Sequence, residues 1–376
     1  MSAGVTSGAF VLAAGGTGGH LFPAEALAAE LTDRGRHVHL LTDSRADAFA
    51  GRIRGVEIHR VRAGRFDGGP VRAAHGLAEL AAGVVQARRL LRRLAPQAVI
   101  GFGGYPSVPT MLAAASLGLP TLLHEQNAVL GRANRLLAPR VRRIATGFPE
   151  AAGLRPADRA RAVHSGNPVR PAVLAIGEPP YRAPGPGESI ELLVLGGSQG
   201  ARVLSEIVPP ALAALDPGPR AMLRVSHQAR PEDLAAVAEA YAQAGIAAEI
   251  ESFFTDVPRR LTRAHLAICR SGASTLAELS AIGRPAVLIP YPFAADDHQS
   301  ANASAFAAAG GGWTLAQAGL RPDTLAARLA SLLGDGPALA LAARRAQAFG
   351  RRDAARHLAL LALALAPGGA CEERAA

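Results

Sequence analysis

Lysine is absent from this sequence; all 40 positions counted as lysine or arginine are arginine. Two classes of chemistry go with it. No lysine Schiff base can form, and no Walker A phosphate loop can be completed. Cysteine is nearly as scarce. The two present, Cys269 and Cys371, cannot build a disulfide framework and belong to no Cys/His cluster with zinc spacing. No Asp-x-Asp pair occurs, so Asp296 and Asp297 give no metal signature, and neither a metal nor any other cofactor is expected. Long apolar runs are missing too. Hydrophobic residues make up 49% of the chain, yet no run approaches the roughly 18 to 20 residues that cross a bilayer. The nearest, Leu358 to Ala366, suits a buried helix. The apolar stretch Ala9 to Ala14 has no basic lead-in and runs into glycines, so it reads as a first strand and not as a signal peptide. A reducing, cytoplasmic setting is expected.

What remains is ample for two domains: 376 residues with a net charge of +10. A basic surplus of this size points to nucleic acid, an anionic membrane surface or an acidic substrate. Short apolar strands alternate with helical segments: Ala9 to Ala14, His37 to Thr42, Ala98 to Phe102, Thr121 to His124 and Arg143 to Thr146. This alternation predicts a parallel sheet. The Pro/Gly-rich stretch Pro179 to Glu188 interrupts the series. A second series follows at Glu191 to Leu195, Met222 to Ser226, Ala248 to Glu251, Leu266 to Cys269 and Ala286 to Pro290. The predicted fold is α/β, with two doubly wound domains meeting around Asn167 to Arg170.

Each half opens with a strand, a glycine loop and a helix. In the first loop, Gly15 to His20 (GGTGGH), glycines permit a sharp turn and leave backbone N–H groups at a helix start, where an anion is favoured. A dinucleotide loop is the competing reading, supported by Asp43 at the end of the second strand. The G-x-G-x-x-G/A fingerprint fails, because counting from Gly16 places Leu21 at its sixth position. The second loop, Gly196 to Ala201 (GGSQGA), fails the same test and offers Ser198 with its own N–H groups. His20 is a candidate base, against the plainer alternative of a structural hydrogen bond. His124-Glu125-Gln126-Asn127 follows a strand at the C-terminal sheet edge, where such folds bind ligands, and Gly103-Gly104-Tyr105-Pro106 follows the neighbouring strand. Cys269 to Thr275 (CRSGAST) ends another strand in small, hydroxyl-bearing residues suited to a diphosphate. Glu278 could accept ribose hydroxyls or merely stabilise the helix dipole.

Read in order, GGTGGH, GFGGYPS, HEQN with Asn134 after it, GNPVR, GGSQGA, CRSGAST with Glu278, and DDHQSANA resemble the motif series of the MurG family, bacterial UDP-N-acetylglucosamine transferases of peptidoglycan synthesis. The resemblance spans most of the chain. It implies the GT-B architecture: two Rossmann-like domains with the active site in the cleft between them. The acceptor domain would comprise residues 1–166 plus a C-terminal helix within 351–376, starting at Arg351, and the donor domain residues 167–350. It further implies an inverting transfer of N-acetylglucosamine from UDP to the 4-hydroxyl of the muramic sugar of undecaprenyl-diphosphate-muramyl-pentapeptide (lipid I), giving lipid II. Matched motif by motif, the donor site would take Thr17, Gly18, Gly19, Asn127, Arg170, Ser198, Phe254, Ala273, Ser274, Thr275, Leu276, Ala277, Glu278 and Gln299. Phe254 stands where the family usually has an aliphatic residue and would act through its backbone. The acceptor diphosphate would face Gly16, Thr17, Gly18, Gly19 and Tyr105, with His20 or Glu125 as the catalytic base.

A lipid acceptor places the enzyme on the cytoplasmic face of the membrane, held peripherally. Arg52, Arg54, Arg60, Arg62, Arg65 and Arg72 lead into Leu77 to Leu94, which carries Arg88, Arg89, Arg92 and Arg93 and forms a candidate docking helix. It lacks the tryptophan or phenylalanine anchor of deeper insertion and reads equally as an amphipathic helix on its own sheet. Expected partners are UDP-N-acetylglucosamine, lipid I, an anionic membrane surface and other cell-wall synthesis proteins, not nucleic acid. Competing functions are a diacylglycerol glycosyltransferase, a UDP-sugar epimerase and, more distantly, a nicotinamide oxidoreductase.

Overall fold

The computed structural model describes residues 8–15, 18–43, 55–64, 69–197 and 200–366. The chain divides after Pro171 into two compact units and returns to the first at Arg352. Arg170 therefore belongs to the first unit.

The first unit is a parallel sheet of β1 (Phe10–Ala13), β2 (Val38–Thr42), β3 (Val56–Arg60), β4 (Ala98–Gly101), β5 (Thr121–Glu125), β6 (Arg143–Thr146) and β7 (Ala162–His164). Its order is β3-β2-β1-β4-β5-β6-β7. Alternate residues serve opposite faces. Phe10 and Leu12 of β1 join Leu40, Ile100 and Leu122 against α1 (Gly18–Asp33) and the C-terminal helix Ala354–Leu365, which contributes Leu358, Ala359 and Ala362. Val11 and Ala13 turn the other way, with Leu41, Val99 and Leu123, under α2 (Pro70–Leu94) and α3 (Ser107–Ser116). Each fully buried Leu or Phe contributes about 1.5–3 kcal/mol, so covering both faces is what holds the strands in one sheet. Glycine sets the fit of α2: a side chain at Gly83 would strike the Arg62 carbonyl oxygen.

The second unit repeats the plan with β8 (Ile190–Leu195), β9 (Leu223–Gln228), β10 (Ala247–Glu251), β11 (Leu266–Cys269), β12 (Ala286–Leu288) and β13 (Gly312–Thr314), in the order β10-β9-β8-β11-β12-β13. Leu192 and Val194 of β8 pack with Leu204, Val208 and Leu212 of the helix Arg202–Ala213. Both sheets reverse direction of winding beside their first strand, between β1 and β4 and between β8 and β11. These are the switch points where open parallel sheets take ligands. No single described helix is long and apolar enough to cross a membrane.

Candidate active site

At the first switch point three loops converge. Gly15, after β1, lies so close to the loop after β4 that an added side-chain carbon would stand 2.8 Å from Pro106. α1 then begins at Gly18, its first-turn N–H groups unpaired within the helix and its dipole favouring an anion. Gly18 is buried and Gly19 exposed. Gly16, Thr17 and Ser198 lie outside the described residues, as do Arg52, Arg54 and Arg65 of the basic stretch. Gly103 and Gly104 follow β4 with φ of 81° and 73°, left-handed values that favour glycine. At Gly104 the backbone passes against the His20 ring: a side-chain carbon there would sit 3.2 Å from Cδ2. Tyr105, next in line, is 36% exposed.

His20 is half-buried, and its Nδ1 lies 2.8 Å from the Phe102 carbonyl oxygen and 3.1 Å from Gln126 Oε1. Its Nε2 makes no hydrogen bond among the described residues. Gln126 itself is buried, with Nε2 placed 3.1 Å from the His124 carbonyl oxygen and 3.0 Å from His124 Nδ1. His124 in turn points Nε2 at the Gly166 carbonyl oxygen, 3.1 Å away. Burial pushes the His124 imidazole down to about 4, overriding the Gly166 contact that favours its charged form.

Glu125, at the end of β5, is 1% exposed. Oε1 accepts from the Asn127 backbone N–H at 2.9 Å and its Nδ2 at 3.1 Å. Oε2 accepts from the Gly131 N–H at 2.9 Å and Asn134 Nδ2 at 2.7 Å. Four donors fill this carboxylate, which fixes the loop from Gln126 to α4 (Arg132–Leu137) and leaves no lone pair directed outward to collect a proton. Of the two base candidates, the geometry favours His20. Arg170 places its guanidinium 4.6 Å from the centroid of Phe22, in the first turns of α1. Asn167, three residues earlier in GNPVR, is 7% exposed, and neither amide atom has a hydrogen-bond partner among the described residues.

The second switch point is built from β8 and β11. Gly197 and Gly200 take φ of 84° and 69° in the loop after β8. After β11, Gly272 caps the helix Ala273–Ile282. Ser274 turns a buried Oγ without a partner among the described residues, Glu278 is buried one turn on, and Leu276 faces the core, so Leu276 can offer a ligand only backbone. Ala273 is buried, while Thr275 and Ala277 are half-buried. Ser271 Oγ donates to the Gln299 carbonyl oxygen at 2.7 Å, and Asn302 Nδ2 to the Ser271 carbonyl oxygen at 3.0 Å. These bonds draw DDHQSANA onto CRSGAST. The Gln299 side chain accepts from the Tyr291 N–H at 3.0 Å. Phe254 is buried beneath Arg260, whose guanidinium lies 3.9 Å from the ring centroid, so Phe254 too can reach a ligand only through its backbone. Cys269 is buried and its thiol pushed up to about 12 by desolvation, which removes it as a nucleophile.

His124, Gln126, Asn134 and Asn167 were visible within motifs but carried no assigned role. Their importance rests on pairings between distant segments and on burial, which no local pattern announces. One further cluster of possible metal ligands occurs among the described residues: His39, Glu57 and His59, on β2 and β3. Burial, then His39, then Arg93 lower the proton affinity of His59, with Glu57 opposing. Glu57 is 73% exposed. With Arg93 adding positive charge, the cluster reads as a surface hydrogen-bonded pair of imidazoles and not as a cation site.

Comparison with known proteins identifies the family of both halves of the chain. The glycosyltransferase family 28 N-terminal domain matches residues 10–146, and the glycosyltransferase family 28 C-terminal domain matches residues 191–358. A protein of Rhodospirillum centenum named UDP-N-acetylglucosamine--N-acetylmuramyl-(pentapeptide) pyrophosphoryl-undecaprenol N-acetylglucosamine transferase is 56% identical over 349 residues, covering 93% of this chain and 92% of the relative. Its namesake in Paramagnetospirillum magneticum is 54% identical over 95% of this chain and 96% of its own length. Among solved structures, Acinetobacter baumannii MurG superposes with a TM-score of 0.77 at 29% identity, covering 94% of this chain and 99% of that one.

Proposed function

We infer the function of this chain from its family: it belongs to the UDP-N-acetylglucosamine--N-acetylmuramyl-(pentapeptide) pyrophosphoryl-undecaprenol N-acetylglucosamine transferases, the MurG family within glycosyltransferase family 28. It is a hexosyltransferase of peptidoglycan synthesis that moves N-acetylglucosamine from UDP-N-acetylglucosamine to the muramic sugar of lipid I. The observation that carries this reading is the 56% identity sustained over 93% of the chain. The residues that would perform the reaction cluster at the two switch points.

The reaction is a single displacement. The acceptor 4-hydroxyl oxygen forms a bond to the anomeric carbon as the bond from that carbon to the UDP oxygen breaks. The electron pair leaves with UDP, and the hydroxyl proton goes to His20 Nε2. A positioned base of this kind contributes about 10²–10⁴-fold. Charge developing on UDP would be met by the N–H groups at the start of Ala273–Ile282, by Ser274 and by Arg170. Glu278 would take the ribose hydroxyls, Phe254 and Leu276 would contribute backbone contacts, and Gln299 would complete the donor site with Asn127, Thr275 and Ser198. The start of α1, from Gly16 through Gly19, and Tyr105 would face the acceptor diphosphate.

The enzyme would work peripherally on the cytoplasmic face of the membrane. One side of α2 packs on its own sheet through Ala87 and Leu91, while Leu77 and Val85 stand 61% and 49% exposed beside Arg89, Arg92 and Arg93. That exposed face combines apolar contact with arginines worth about 1 kcal/mol each at an anionic surface. Incubation with UDP-N-acetylglucosamine and a soluble lipid I analogue tests the reading: UDP should appear only with both present. UDP release driven by diacylglycerol, or epimerised sugar formed without an acceptor, would overturn it.

A further inference from the structure

We propose that His124 and Gln126 are positioning residues that hold His20 in the tautomer with hydrogen on Nδ1, leaving Nε2 as the nitrogen that receives the acceptor proton. The proposal rests on the functional reading above and adds to it how the base is prepared.

His124 is buried and neutral at working pH, so it carries one ring hydrogen. Its Nε2 faces the Gly166 carbonyl oxygen at 3.1 Å, which only accepts, so the hydrogen sits there and Nδ1 bears a lone pair. Gln126 presents one end of its amide to two acceptors, His124 Nδ1 at 3.0 Å and the His124 carbonyl oxygen at 3.1 Å. That end must be the NH2 group. The amide orientation thus follows from the network, and the remaining end is oxygen. Gln126 Oε1 lies 3.1 Å from His20 Nδ1, and the Phe102 carbonyl oxygen lies 2.8 Å from the same nitrogen. Two oxygens against one ring nitrogen require an N–H. Moving the hydrogen to Nε2 would set the Nδ1 lone pair against both and leave a buried amide oxygen unpaired, which is unfavourable.

Charge around His20 is arranged to the same end. β5 contributes His124, which is neutral, and Glu125, whose carboxylate is taken up by Asn127, Gly131 and Asn134. The loop before α3 brings the Gly104 backbone against the ring, and Arg170 lies over Phe22 of the same helix. Both groups in contact with Nδ1, the Phe102 carbonyl and the Gln126 amide, are uncharged. A carboxylate in its place would also orient the ring but would raise its proton affinity. Gln126 orients the ring with a neutral group.

The test has two arms. Nitrogen-15 spectra of histidine-labelled protein at neutral pH should show His20 protonated at Nδ1 and unprotonated at Nε2; the reverse tautomer overturns the proposal, whatever reaction the protein catalyses. In the second arm, Gln126→Glu brings a carboxylate to Nδ1 and should move the acid limb of the kcat/KM profile to higher pH, by about one pH unit or more, a tenfold lower proton concentration. Recovery of turnover at higher pH separates this from misfolding. A variant whose acid limb stays in place, with His20 tautomer intact in the spectra, shows that the relay does not govern the base and overturns the proposal while leaving the transferase reading standing.

Discussion

Asn134 Nδ2 lies 2.7 Å from Glu125 Oε2, across the loop that follows β5. This bond and its three companions make Glu125 the clamp of the HEQN loop. Glu125→Gln would turn an NH2 group toward donors. The expected cost is about 1–3 kcal/mol, visible as a lowered Tm. The acid limb of the kcat/KM profile should keep its position, since the group lost is not the base.

Asn167 leads to the opposite expectation. Its amide is buried without a partner among the described residues, so Asn167→Ala removes unpaired polar atoms and should leave Tm unchanged or raised. If those atoms serve substrate, kcat/KM falls by about tenfold, the value of one hydrogen bond of about 1.4 kcal/mol. Thermal denaturation and initial rates on the same preparation check both halves.

Gly104 sets the room for the base. Gly104→Ala must hold φ near 73° and bring a carbon within 3.2 Å of His20 Cδ2 and 3.4 Å of Nε2. The backbone strain is about 1–2 kcal/mol. Displacement of the ring should lower kcat far more than it changes the KM for UDP-N-acetylglucosamine, which steady-state kinetics will read directly.

Acid should weaken each unit through one buried histidine. His124 in the first and His227 in the second are both pushed down to about 4, chiefly by burial. The unfolded chain binds these protons near pH 6.5 and the folded protein only near 4, so stability is full above 6.5 and declines as pH falls through that window. The loss approaches about 3 kcal/mol for each histidine. Denaturant titrations at pH 7 and pH 4.5 should show the decline, and His227→Gln should reduce it for the second unit alone.

The strands that the sequence predicted are mostly the interior ones. Ala98 to Phe102 and Leu192 to Leu195 are buried on both faces and therefore read as unbroken apolar runs. β3, β7 and β13 escaped notice, and all three are edge strands. Val56–Arg60 alternates with charge, and Ala162–His164 and Gly312–Thr314 have only three residues each. Edges need no continuous apolar run and avoid presenting one. The helix expected after the GGTGGH loop starts inside it, at Gly18, because glycines that look like loop form its first turn. The site was legible as motifs. Its internal logic was not, since Gln126 meets His20 across 106 positions and the filling of Glu125 by four donors is a fact of packing.

The central claim is that this chain joins N-acetylglucosamine to the 4-hydroxyl of a lipid-diphosphate-linked muramic sugar with inversion. Mass and proton spectra of the product made from a lipid I analogue test it most directly. The account predicts a gain of one N-acetylhexosamine residue in β linkage at the muramic 4-position, lost when His20 is replaced by alanine. An unmodified acceptor, a sugar attached elsewhere or an α linkage would contradict it.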